Sequence, residues 1–320
     1  MKFIYYNNEI NKHISCVICN YYSEYFKNNI LPKYPNTPVI ICDRMDSVCL
    51  NDRNFKSLVE YDVTVLKEYV FKNPALNNYK YNSKRYHLHL IQPTMAHSLK
   101  KIQLTDEKIE KILPCSWNLN QYSFEGKTMI YLKNIKIDHT HKNIDVFYIC
   151  HTHASVSTLY DHRKSIFESL KKICKKHNLT CKLLFGENIT KKEYLKYLTN
   201  SKICVSPYGL GGRISLDQMG ILTETLIIKP DMSYLKTIPN IYDGKFSETM
   251  KFFNPDISNG YSNQENEIEQ LILDSGITTG NWDENIKLLK NNKIKTQNYD
   301  MKFYSSKFIE TIKKVIDVGR

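Results

Sequence analysis

The chain has no run of the roughly 18 consecutive apolar residues that a membrane-spanning helix requires. Residues 1–13 lack the long apolar segment of a secretory signal. No internal repeat or low-complexity segment is present. Acidic residues are the minority charge, 33 against 45 Lys and Arg, for a formal net charge of +12. No arginine-rich arm, zinc-finger spacing or aromatic-glycine RNA-binding signature accompanies that charge, which argues against a nucleic-acid-binding role. Cysteines number 9, an odd count, and Cys16, Cys19, Cys42, Cys150 and Cys204 lie in apolar runs. They read as buried thiols in a reducing compartment. Cys16-x-x-Cys19 has no second Cys/His pair at zinc spacing. No Asp-x-Asp occurs anywhere.

What is there describes a folded protein. Hydrophobic residues make up 42% and aromatics 12%, well above disordered compositions. A length of 320 residues leaves room for two domains with separate cores. The positive balance attracts anions in general: nucleic acid, lipid headgroups or a nucleotide diphosphate. Its lysines are scattered, as at Lys171-Lys172, Lys175-Lys176 and Lys191-Lys192, in the manner of solvated helix faces. Heavy use of Lys, Asn, Ile and Tyr, with only 11 Gly and 10 Pro, reads as coding bias from an AT-rich genome, as in some giant viruses or protists. With no span and no leader, the expected location is the cytoplasm of a cell or a viral factory.

Residues 1–140 read as an irregular α/β domain. Strands are expected at Met1–Tyr6, Val39–Cys42, Thr64–Tyr69, Tyr86–Ile91, Thr128–Leu132 and Ile135–Ile137, and a helix over Ile14–Phe26. Polar residues 138–143 read as a linker. Residues 141–301 then alternate strand and helix patterns. Asp145–Cys150 resembles a central parallel strand. His162–Cys174 is an amphipathic helix, Thr180–Phe185 a strand, and Thr190–Tyr197 a helix opened by a capping box with Glu193. Glu265–Leu273, Asp283–Asn291 and Lys302–Val318 are helical. Such alternation implies βαβ units and a parallel sheet. Residues 302–320 are expected to rejoin the N-terminal domain.

The most informative stretch is Ser201–Tyr242. It reads as strand (Ile203–Val205), glycine turn (Gly209, Gly211, Gly212), helix (Arg213 to Thr223) and strand (Thr225–Ile228) stopped by Pro230. A glycine turn feeding a helix presents free N–H groups and a positive dipole end to an anion. Such a turn also occurs as a plain connection. Three strand ends converge on one sheet edge: Cys150–Ser155, Gly209–Arg213 and Lys229–Ser233. His151 and His153 are phosphate or sugar contacts on this reading, or ordinary loop residues. Arg163 and Arg213 are each candidates to pair with a diphosphate through a bidentate fork.

Ser201-Lys202, Ser206-Pro207-Tyr208-Gly209, Gly211 and Leu226–Asp231 together resemble the sugar-nucleotide half of exostosin-like glycosyltransferases of the GT-B architecture. A fainter echo lies in Leu66–Tyr69, Asn73–Asn78 and His162-Arg163. The resemblance implies two Rossmann-like domains facing a cleft, and transfer of a sugar from a UDP- or GDP-linked donor to a glycan or glycoprotein. It implies no cofactor and no metal, which fits the missing Asp-x-Asp: basic side chains and a helix N-terminus would neutralise the diphosphate instead. Gly209, Gly211, Gly212 and Arg213 would hold the diphosphate, and Tyr208 would stack on base or sugar. The family places an acid in the middle of the helix for the donor ribose. Met219 stands there in this chain, so the role passes to Glu224 or, less directly, Asp217. Both also read as ordinary polar-face or helix-end residues. A general base for the acceptor hydroxyl would come from the N-terminal half. Asp43 (with Asp46) and His87 (with His89) are the candidates, and surface charge pairing explains them equally well. Two rivals remain: a non-catalytic relative that keeps the fold for binding, which Met219 favours, and a basic nucleic-acid-binding protein.

Overall fold

A computed structural model describes residues 16–19, 26–33, 36–43, 52–67, 69–73, 79–80, 100–101, 104–115, 124–152, 157–209, 214–242, 246, 248–256, 263–297 and 301–318. The protein is α/β, with two sheets of parallel strands flanked by helices. The chain divides into two compact units. The first comprises Met1–Asn118, Leu235–Ile238 and Tyr304–Arg320; the second comprises Leu119–Tyr234 and Pro239–Phe303.

In the first unit, strands β1 (Val17–Cys19), β2 (Val39–Asp43) and β3 (Val63–Lys67) are joined by β7 (Ile112–Pro114) in a parallel sheet of order β1-β2-β3-β7. β4 (Tyr69–Phe71) lies outside it, as does the antiparallel pair β5 (Tyr79–Lys80) and β6 (Lys100–Lys101). Alternation along the strands separates two cores. Val39, Ile41, Val63 and Val65 pack with Leu58 of α1 (Asp52–Glu60) and Ile109 of α2 (Asp106–Glu110). Ile40, Cys42 and Leu66 face Ile312 and Ile316 of the C-terminal helix.

The second unit holds a five-stranded sheet. Its strands are β8 (Ile144–Cys150), β9 (Cys181–Phe185), β10 (Ser201–Val205), β11 (Leu226–Pro230) and β13 (Met250–Phe253). Between the last two, β12 (Leu235–Thr237) pairs antiparallel with β4 as part of the first unit. The sheet order is β9-β8-β10-β11-β13 and every pairing is parallel. Helices follow the strands: α3 (Phe124–Asn134) precedes β8; α4 (Ser157–Lys176), α5 (Lys191–Thr199) and α6 (Ile214–Leu222) connect β8 to β11; α7 (Gln264–Asp274) and α8 (Trp282–Gln297) follow β13. The last, α9 (Met301–Val318), belongs to the first unit from Tyr304 onward. Val146, Tyr148, Ile203, Val205, Leu226 and Ile228 share one face and pack on Ile166, Leu170 and Ile173 of α4 and Ile268 and Ile272 of α7. On the other face Phe147 meets Tyr194 and Tyr197 of α5, and Ile227 lies against Gly220 of α6. Burial on both faces explains the near-continuous apolar runs of these strands.

Several expectations are corrected. Val17–Cys19, expected inside a helix, is a strand, because its β-branched pair finds a parallel partner in Val39–Ile41. Thr128–Leu132, expected as a strand, is helical. Met129 and Leu132 are buried at i and i+3 while Ile130 and Tyr131 are exposed, a helical pattern that a short apolar run does not reveal. Ile135–Ile137 forms no regular element. Asp138–Lys142 is no free linker. It forms a short turn in which Asp138 accepts from Thr140 N, and Lys142 is buried at the amino edge of the second sheet. The strands expected at Met1–Tyr6 and Tyr86–Ile91 lie outside the described residues.

Candidate functional site

The strand order of the second sheet locates the site. From β8 the chain moves outward to β9, then crosses back over β8 to β10 and continues the other way. The connections leaving β8 and β10 therefore diverge, and open α/β sheets bind ligands in the crevice outside the carboxyl ends at such a reversal. Residues His151–Thr152 follow β8 and Ser206–Gly209 follow β10 at that edge.

One side chain ties both connections together. Arg163, in the second turn of α4, is buried. Its Nη1 donates to the His151 carbonyl at 2.5 Å, while Nε and Nη2 donate to the Tyr208 carbonyl at 3.2 and 3.0 Å. The neighbouring His162 holds the other side of the same residue: Tyr208 N donates to His162 Nε2 at 3.2 Å. An accepting Nε2 puts the ring proton on Nδ1. Burial, reinforced by the Arg163 charge, pulls His162 down to about 3, so the ring stays neutral and keeps that acceptor. Underneath, Tyr148 of β8 donates its hydroxyl to the Arg163 carbonyl at 2.8 Å. The positions of two loop stems thus follow from the His-Arg dipeptide at the start of one helix.

This geometry changes the roles read for Arg163 and Tyr208. The guanidinium fork serves backbone carbonyls rather than standing open to a diphosphate. Tyr208 is buried, its ring packs on His162 at 5.2 Å between centroids, and its hydroxyl donates to the Asp231 carbonyl at 3.2 Å. It anchors the turn instead of offering a face to a base. Gly209 lies at the edge beside it, half-buried. Gly211, Gly212, Arg213, His153 and His87 lie outside the described residues.

The two candidate ribose carboxylates sit at opposite ends of α6. Asp217 is in its first turn, at the carboxyl edge of the sheet. It forms a buried ion pair with Lys229 of β11 and accepts from the Tyr242 hydroxyl at 2.6 Å. Lys229 also lies 5.0 Å from the centre of the Tyr242 ring. Glu224 lies beyond the helix end, about 10 Å further along the axis. There it shares the amino edge with Lys142, whose Nζ donates to Ser201 O at 2.7 Å, Thr223 O at 3.0 Å and Thr225 Oγ1 at 3.1 Å. Glu224 accepts from His139 Nε2 at 2.6 Å and pairs with Lys293 at 3.2 Å. Neither reading of Glu224, as the ribose carboxylate or as a solvated helix end, matches its place: it is buried, paired and at the far edge. Burial pushes its carboxyl up, but the His139 hydrogen bond and the Lys293 charge outweigh that and hold it below the usual range. Nor does α6 have a polar side for Asp217 to occupy. Asp217–Leu222 are all buried, because α3 and α8 also pack on this helix. Met219 is core.

In the first unit, Asp43 ends β2 in register with Lys67 at the end of β3. The two form a 3.0 Å ion pair with both side chains 1% exposed. A carboxylate so covered and paired does not reach a solvent-borne hydroxyl, so its reading as an open general base is corrected too. Among the described residues no group of three or more His, Cys, Asp and Glu is placed to hold a metal ion, and no helix is long and apolar enough to cross a membrane.

Sequence reasoning reached the strand ends but missed what joins them. Lys229 carried a usable signal, a charge inside a strand otherwise apolar on both faces, which demands a buried partner. Lys142, in a polar stretch, carried none. No family model matches the chain, and no curated protein sequence matches it.

Proposed function

We propose that the second unit binds the diphosphate of a nucleotide sugar at the β8/β10 edge, and that the protein transfers the sugar to a glycan or glycoprotein hydroxyl. The GT-B plan of two α/β domains belongs to this proposal. The observation that carries it is the pair of connections diverging at the reversal of strand order, with Arg163 bonded to the stem of each. The second stem leads, through residues 210–213, to the N-terminus of the nine-residue helix α6, an end suited to an anion. Asp217, at that end, is the carboxylate this reading assigns near the donor; Glu224 is not. Gly211, Gly212 and Arg213 retain their assignment to the diphosphate by sequence alone. The general base is left to the first unit, without Asp43 in its present pairing.

The test is a thermal-shift titration with UDP, GDP and their sugars, followed by a donor-hydrolysis assay. At about 100 times the dissociation constant, binding stabilises by roughly 2.7 kcal/mol. No shift with any nucleoside diphosphate at millimolar concentration overturns the proposal. A second reading, a non-catalytic relative that binds without transfer, draws on Met219 in the helix core and on Asp217 being held by Lys229 and Tyr242. Nucleotide binding without donor turnover selects it.

A further inference from the structure

We propose that His162 and Arg163 are positioning residues that preform the nucleotide site, acting only by fixing the Tyr208 peptide and the His151 carbonyl at the stems of the two connections. This rests on the binding reading above and names how that site is built. The peptide groups of Tyr208 are held from both sides: its N–H by His162 Nε2 and its carbonyl by two nitrogens of Arg163. The third nitrogen crosses to the connection from β8. Both residues sit on one rigid helix, and that helix is fixed to β8 through Tyr148. The distance between the stems is therefore set by a planar group whose donors point in fixed directions. Lysine keeps the charge but has no such fork. A site whose two loop stems are already fixed loses less freedom when the anion arrives, and affinity rises accordingly.

Three measurements on the full chain decide this. The first is amide exchange across Ser206–Gly209 in the ligand-free protein. Tyr208 N–H exchanges slowly, and its protection, corrected for the intrinsic rate, holds from pH 8 down to about 5 because His162 stays neutral there. The second is the same exchange in Arg163→Lys, which speeds up at this segment while β8 and β10 stay protected. The third is UDP and GDP affinity, which Arg163→Lys weakens by roughly tenfold, the equivalent of about one good hydrogen bond to a charged group. Tyr208 exchanging like an open loop in the unmodified protein overturns the inference, and this reading needs no variant to fold. Unchanged affinity in Arg163→Lys overturns it as well. Weaker affinity with unchanged ligand-free exchange also overturns it, since that pattern belongs to an arginine touching the diphosphate directly. Failure of the unmodified protein to bind any nucleotide sinks the function proposal instead, while the exchange results stand by themselves.

Discussion

Glu224 carries two costs at once. Its backbone takes φ 54°, a left-handed conformation that glycine adopts freely and glutamate does not. Its carboxylate is buried. Both are tolerated because the side chain lands between His139 and Lys293, where two partners meet its two oxygens. Glu224→Gln leaves Lys293 buried beside a neutral amide. Removing one partner of a buried pair costs about 3–5 kcal/mol, and urea denaturation at neutral pH should read a loss of that order. Nucleotide affinity should stay near that of the parent protein, because the residue lies at the amino edge. The pH dependence has a definite sign. A carboxyl held below its unfolded value of about 4.3 contributes stability above that pH and loses it as pH falls through the folded value. The gap between parent and variant should therefore be full at pH 7 and close on acidification. A gap that is constant with pH would show that packing, not ionisation, makes the difference.

At the scale of elements, α6 packs closely on β11. A Cβ on Gly220 would lie 2.2 Å from Ile227 Cδ1 and 2.8 Å from Ile227 Cγ1. Gly220 has no left-handed backbone to explain it; its role is to let the helix approach β11. Alanine would favour the helix by about 1 kcal/mol in isolation, yet overpacking here should cost about 1–3 kcal/mol. Net destabilisation of Gly220→Ala, with partial relief from Ile227→Val in the same protein, is the outcome to seek in thermal unfolding. The same helix shows where sequence reading succeeds and stops. Its existence and its place between β10 and β11 were legible, because Pro207, the glycines and Pro230 punctuate the chain. Its orientation was not. The stretch Asp217–Leu222 is buried throughout and has no amphipathic stripe, so Asp217 could not be placed by periodicity. The capping box at Thr190 and Glu193 was read correctly because both its bonds are local. The Arg163 and Lys142 contacts were out of reach because they join residues 45 and 59 positions apart along the chain.

At the scale of the whole molecule, each unit carries its own core, and the chain's last helix serves the first. Ile312 and Ile316 close the face formed by Ile40, Cys42 and Leu66. Arg163, Tyr208, Asp217 and Lys229 all belong to the second unit. These two facts make the proposed binding site separable from the first core. Ile312 is fully buried, so Ile312→Ala removes buried methyl groups and should lower stability by about 2–5 kcal/mol. The loss should appear in denaturant unfolding followed by a probe in the first unit. Nucleotide affinity, measured where the variant is still folded, should stay within about twofold, because Ile312 and the named site residues belong to different units and residues with no shared partners act additively. The converse variant, Arg163→Lys, should weaken nucleotide binding while leaving the first unit's transition in place. If Ile312→Ala weakens nucleotide binding as strongly as Arg163→Lys does, binding draws on the first unit as well, and the proposal that the second unit alone holds the donor diphosphate falls.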